Sequence, residues 1–80
     1  MPAMITGAQI RAARALLGWT AAKLAEQSGL SSSSIQRAEA GAVGAMRAEN
    51  LFRIQRALEQ AGIIFLYPGD TGGAGVRLSA

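Results

Sequence analysis

Eighty residues, half of them hydrophobic and only 5% aromatic, make one small domain, and a chain this short buries only about 60% of its unfolded surface. Cysteine and histidine are both absent. That excludes disulfides, the usual zinc and transition-metal ligand sets and the common nucleophile–base pairs of covalent catalysis, so no cofactor, no metal and no enzymatic activity are expected. The formal charge of +3 and a sequence pI near 10.7 favour anionic partners, nucleic acid ahead of acidic membrane.

No apolar run approaches the roughly 18–20 residues of a membrane span. With cysteine missing as well, the expected location is the cytoplasm and no membrane partner is expected. The first 25 residues lack acids and carry Arg11, Arg14 and Lys23. That composition mimics a transit peptide, but the same residues fit a folded helix with proper ends.

In chain order, "TGAQIRAARALLG" opens with Thr6, a capping residue, and Gln9 three positions later completes a capping box. Ile10, Ala13 and Leu17 then line one helical face. "TAAKLAEQSG" starts at Thr20, a second N-cap, and stops at Gly29. "SSSSIQRAEAG" must begin within its serines: Ser31 can cap it, and Ser33 with Gln36 offers an alternative box. "RAENLFRIQRALEQAG" is the clearest helix, with Leu51, Ile54, Leu58 and Ala61 inward and a surplus Phe52 beside them. Glu49 and Arg53 form an exposed i, i+4 pair. Gly18, Gly29, Gly41 and Gly62 each follow a helix-period stretch that they are placed to end.

After Gly62 the chain turns β-branched and aromatic. "IIFLY" has the length of a strand, "PGDTGGAG" reads as a loop, and "VRL" as a short second strand. The glycine loop lacks a following "GK[ST]" and a helix, so it is not a phosphate loop. Two units are expected: residues 1–62 as a mainly α body and residues 63–80 as a C-terminal β appendage.

Segments two and three are short helices joined across "SGLS", which is helix-turn-helix spacing. The joint residues have suitable sizes. Leu24 and Ile35 point inward, Ala25 is small where the helices approach, Gly29 makes the turn, Leu30 plugs the corner and Ala38 closes the packing. The stretch "IRAARALLGWTAAKLAEQSGLSSSSIQRAEAG" followed by "NLFRIQRALEQAGI" resembles the Cro/cI-type, or XRE-like, helix-turn-helix family of phage and bacterial regulators. The likeness covers about Ile10 to Ile63.

That resemblance implies a four-helix, lambda-repressor-like DNA-binding domain whose third helix enters the major groove of double-stranded DNA. Carried onto this chain, Ser32, Ser33, Gln36 and Arg37 face base edges, while Ser31 caps the helix and touches phosphate. Arg37 can fork onto guanine. Thr20 and the adjacent backbone amides reach phosphate, as does Arg47 before the fourth helix. Arg14 and Glu39 match a family ion pair that clamps the recognition helix. Trp19 is expected to seal the joint between the first two helices rather than to stack on bases.

This chain also departs from the family pattern. Ala21 stands where a phosphate-holding glutamine is common, Ser28 where an aliphatic is usual, and "AGAVGAM" is poor in bases. Fewer phosphate contacts predict modest affinity and a shallow salt slope.

"IIFLY" is apolar on both faces and would be an aggregation edge if left exposed. Pairing within the chain or with a second chain removes that hazard. Phe52, Ile63, Ile64, Phe65, Leu66 and Tyr67 are therefore the candidate dimerisation residues of a homodimer reading a near-palindromic operator. The expected function is a DNA-binding transcriptional regulator, most simply a repressor. A competing reading is a protein-binding antitoxin or anti-activator module, with a protein partner on the apolar C-terminus.

Overall fold

The computed structural model describes residues 4–69 and 72–79. Four α-helices are followed by a two-stranded antiparallel sheet: α1 Gly7–Leu17, α2 Ala21–Ser28, α3 Ser32–Glu39, α4 Ala48–Gln60, β1 Ile63–Leu66 and β2 Gly75–Leu78. A 3₁₀ turn, Ala42–Ala45, joins α3 to α4.

The helix starts follow the capping chemistry of the sequence. The Thr6 hydroxyl accepts from the Gln9 amide while the Gln9 side chain accepts from the Thr6 amide, closing a full capping box. Ile5 precedes the cap and Ile10 follows it on the fourth helical position, and both are buried, the arrangement of a hydrophobic staple. Thr20 caps α2 through the Lys23 amide, and Ser31 caps α3 through the Ser34 amide. Ser33 therefore does not cap, and the alternative box with Gln36 does not form. Ala40 is the C-cap of the third helix, and Gly41, at φ 105°, follows it as the left-handed glycine that ends the helix and opens the 3₁₀ turn.

One core runs through all of this. Ile10, Leu24, Ile35, Ile54 and Leu58 are its fully buried side chains along the helices, with Ala13, Ala25 and Ala38 filling close approaches. On α4 the inward stripe is Leu51, Ile54, Ala57 and Leu58, whereas Ala61 sits half-buried at the C-cap. Trp19 and Leu30 pack against the core from its margin, at the two joints that flank α2.

The hairpin packs on the helices. Strand β1 lies on α4 and β2 on α1, with Ile63 opposite Leu78 and Phe65 opposite Val76. Strand alternation sends Ile63 and Phe65 to the inner face, where both join the helical core. The radius of gyration, 11.7 Å, equals the roughly 12 Å of an 80-residue packed domain. Residues beyond 62 thus contribute to the same core as the helices, and Ile63 and Phe65, expected among the dimerisation residues, are buried in it. Of "PGDTGGAG", Asp70 and Thr71 lie outside the described residues; Gly69 and Gly72 on either side exchange hydrogen bonds at 2.9 and 3.3 Å.

Two tertiary contacts were not foreseen. Gln9 is buried, and its Nε2 donates to the carbonyls of Leu66 and Gly75 at 2.8 and 3.0 Å, tying the hairpin to the first turn of α1. Gly7 stands where α1 abuts the end of α3: a Cβ there would collide with the carbonyl oxygens of Ala38 and Glu39. Neither residue could be replaced by a residue that only preserves helix propensity.

Candidate nucleic-acid interface

The helices α2 and α3 meet through Leu24, Ala25, Ile35 and Ala38, all buried. Gly29 between them adopts φ 73°, a left-handed conformation that side chains rarely tolerate. Ser28, standing where an aliphatic is usual, is buried at no polar cost: its hydroxyl donates to the Leu24 carbonyl at 2.7 Å.

With Ile35 and Ala38 turned inward, the opposite side of α3 is left to solvent. Ser31, Ser32, Ser33, Gln36 and Arg37 are all exposed there. Ser31 Oγ lies 3.0 Å from Ser34 Oγ, and Arg37 Nη2 donates to that Ser34 hydroxyl over a long 3.4 Å. The guanidinium is thus folded back towards the helix start, held weakly enough to be redirected by a ligand.

A recess of about 330 Å³ opens between α3 and the start of α4, lined by Ser34, Arg37, Ala42, Ala45, Met46, Arg47 and Asn50. It brings Arg37 and Arg47 to one place. Among the described residues neither makes an ion pair, so two uncompensated cations flank one hollow beside the exposed helix. Arg47 is also the N-cap of α4; its guanidinium has donors only and makes no side-chain capping bond. Thr20 is exposed at the start of α2 and lies outside the lining of this recess.

Ser34 and Asn50 were missed in the sequence. The i, i+3 spacing of Ser31, Ser34 and Arg37 places them along one helical edge, a signal that was available. Asn50 had none, because only tertiary packing brings α4 beside α3.

Arg14 and Glu39 meet in a two-pronged ion pair, Nε to Oε2 at 2.6 Å and Nη2 to Oε1 at 2.8 Å. Their side chains are only 20% and 10% exposed. The remaining guanidinium nitrogen, Nη1, donates to the Trp19 carbonyl at 2.9 Å. The hydrogen bonds that Arg14 donates to the Glu39 carboxylate raise the Arg14 pKa above its ordinary value; burial opposes this and the Glu39 charge adds to it. The pair ties the end of α1, the joint to α2 and the end of α3 into one unit.

A small helical body carrying a short, firmly seated helix with a polar and cationic outer face defines a helix-turn-helix nucleic-acid-binding domain. A helix-turn-helix family model matches residues 10–60, well over half of the chain. The chain belongs to the Cro/cI-type (XRE) helix-turn-helix family of DNA-binding transcription regulators. No curated protein matches it. Among the described residues no helix is long and apolar enough to cross a membrane.

Proposed function

We propose that the chain is a cytoplasmic repressor that binds a near-palindromic operator as a dimer and excludes polymerase from the promoter by occupying it. The carrying observation is the amphipathic split of α3: Ile35 and Ala38 are sealed in the core while Ser32, Ser33, Gln36 and Arg37 stand free. A helix presented in this way suits the major groove, its early residues at base edges.

Arg37 is assigned the main base contact, a bidentate pair with a guanine, for which it leaves its weak bond to Ser34. Ser32, Ser33 and Gln36 supply secondary base contacts. Ser31, Thr20 and Arg47 position the duplex through its phosphates, a contribution that carries register rather than sequence. Arg14 and Glu39 touch no DNA; they fix the angle of α3. With so few free cations near the helix, affinity falls only shallowly with salt.

Selection of bound sites from random duplex DNA, followed by a gel shift on the selected site, tests the reading. Arg37→Ala is expected to weaken specific binding by about 1–3 kcal/mol, roughly 5- to 150-fold, and to relax one base position. Its unfolding free energy should stay within about 0.5 kcal/mol of the parent, because the residue is exposed. A parent chain that gives no sequence-specific shift would instead favour the antitoxin or anti-activator module.

A further inference from the structure

In the free chain Arg37 is turned to the flank of α3. Its Nη2 lies 3.4 Å from the Ser34 hydroxyl, and both residues line the recess beside α4 with Arg47 and Asn50. Helical geometry lets this one side chain serve two directions. At 3.6 residues per turn, Arg37 stands about 40° round the helix from Ser33, on the outward face, and about 60° from Ser34, on the flank. Rotation of its long stem carries the guanidinium from one face to the other.

The recess suits an anion. Its polar lining consists of the Arg37 and Arg47 guanidinium groups, the Ser34 hydroxyl and the Asn50 amide, all able to donate hydrogen bonds. No acid lines it. The glutamates are engaged elsewhere: Glu26 with Lys23, Glu39 with Arg14, Glu49 with Arg53, and Glu59 with Gln55. The two cations at this hollow thus repel each other uncompensated, and a phosphate between them would relieve that repulsion through charge-assisted hydrogen bonds.

We propose that Arg37 is a two-position residue. On DNA without the operator sequence it stays against Ser34 and, with Arg47, clamps a backbone phosphate in the recess. At the operator it leaves the recess for a guanine edge, while Arg47 and Asn50 keep the phosphate. Ser34 is the positioning residue of this exchange, because its hydroxyl supports the first position and not the second. A phosphate contact carries no sequence information, so it is given up only where a bidentate base contact replaces it. A chain with few free cations thereby uses one of them both to hold any duplex and to read its own site. This deepens the DNA-binding reading of α3 and rests on it.

Fluorescence anisotropy of the full chain on a selected operator duplex and on a shuffled duplex of the same composition tests the exchange, with salt varied from about 50 to 200 mM. Each phosphate contact contributes about 0.9 to the salt slope. Arg37→Ala is expected to lower the slope by about 0.9 on the shuffled duplex and not on the operator, where affinity falls roughly 5- to 150-fold. Arg37→Lys keeps the charge but not the fork, so the shuffled slope should return while the operator affinity does not. Ser34→Ala should weaken the shuffled complex severalfold more than the operator complex, raising the ratio between them. Circular dichroism should show each variant folded, since Arg37 is exposed and the Ser34 amide keeps its bond to the Ser31 cap. A slope lowered equally on both duplexes, or on neither, would overturn the exchange while operator preference stands, as would a Ser34→Ala chain weakened equally on both. A parent without operator preference overturns the repressor reading instead, and the second position of Arg37 with it.

Discussion

Replacing Glu39 by alanine removes the carboxylate from a two-pronged pair whose contacts measure 2.6 and 2.8 Å. Arg14 then keeps only the Trp19 carbonyl, with its side chain just 20% exposed. A surface pair would contribute about 1 kcal/mol or less. Here the partner left behind is a mostly desolvated guanidinium, and stranding such a charge costs about 3–5 kcal/mol. Residual exposure of Arg14 puts the expectation at the lower end, about 3 kcal/mol. An 80-residue domain is stable by roughly 4–12 kcal/mol, so the loss is a large fraction of the whole. In thermal unfolding it corresponds to a fall of some 12–24 °C, at about 4–8 °C per kcal/mol. Because the pair raises the Arg14 pKa, the contribution of that residue is complete below its ordinary value and vanishes only above the raised one. The Arg14 contribution should therefore be flat across the neutral range, with no titration step of its own there. Urea unfolding of parent and variant, read by circular dichroism, gives the difference directly. A loss under about 1 kcal/mol would show that the pair is screened like a surface one and does not hold α3.

Gly7 gives the next expectation: Gly7→Ala should cost about 1–3 kcal/mol despite its better helix propensity, because its Cβ meets two backbone carbonyls. Chemical unfolding checks this, and a neutral or stabilised variant would contradict the packing. Gln9→Glu keeps the oxygen that accepts from Thr6 but turns a second oxygen towards the carbonyls of Leu66 and Gly75. The ionised form should cost about 2–4 kcal/mol at neutral pH. Protonation restores a donor, so the folded pKa is raised and the folded state binds the extra proton. Stability relative to the parent should then fall as pH rises from about 4.3, and stop falling above the raised value. Unfolding curves at pH 4 and pH 7 measure it. Ser31→Ala loses the cap of α3 and should cost about 1 kcal/mol, and it should weaken DNA binding more than Ser32→Ala, which caps nothing.

Helix ends were legible because capping is local chemistry. Thr6, Thr20 and Ser31 announce their own first turns, and Gly29 could be placed from the shortness of the joint it serves. The inward faces of α2 and α3 were equally legible, since Leu24, Ile35 and Ala38 obey the helical period without exception. What stayed hidden is non-local. Gln9 looked complete as half of a capping box, and nothing near it in sequence signals carbonyls more than 50 positions away. Gly7 reads as a weak helix former until α3 is seen to press on it. The facing of Ile63 and Phe65 was undecidable because "IIFLY" is apolar on both sides; only pairing with β2 over α1 and α4 chose which side is interior. Arg37 and Arg47 were both marked from the sequence, but that they flank one recess follows from the packing of α4 on the helix-turn-helix.

An isolated helix of eight residues is not stable in water, so the posture of α3 must be imposed from outside, and the supports are unevenly placed. Near its C-terminal end Glu39 is gripped by Arg14, the backbone at Ala38 and Glu39 is pressed by Gly7, and Ala38 is sealed in the core. At its N-terminal end α3 depends on Ile35 and on a serine cap of its own. The serine-bearing end is thereby held in direction yet left uncovered, which lowers the ordering cost of any contact made there. The first turn of α1 organises most of this: Gly7 abuts α3, and Gln9, through the same turn, holds both strands at the loop end of the hairpin. Because one helical turn serves both, the C-terminal strands and α3 are braced through the same few residues of α1.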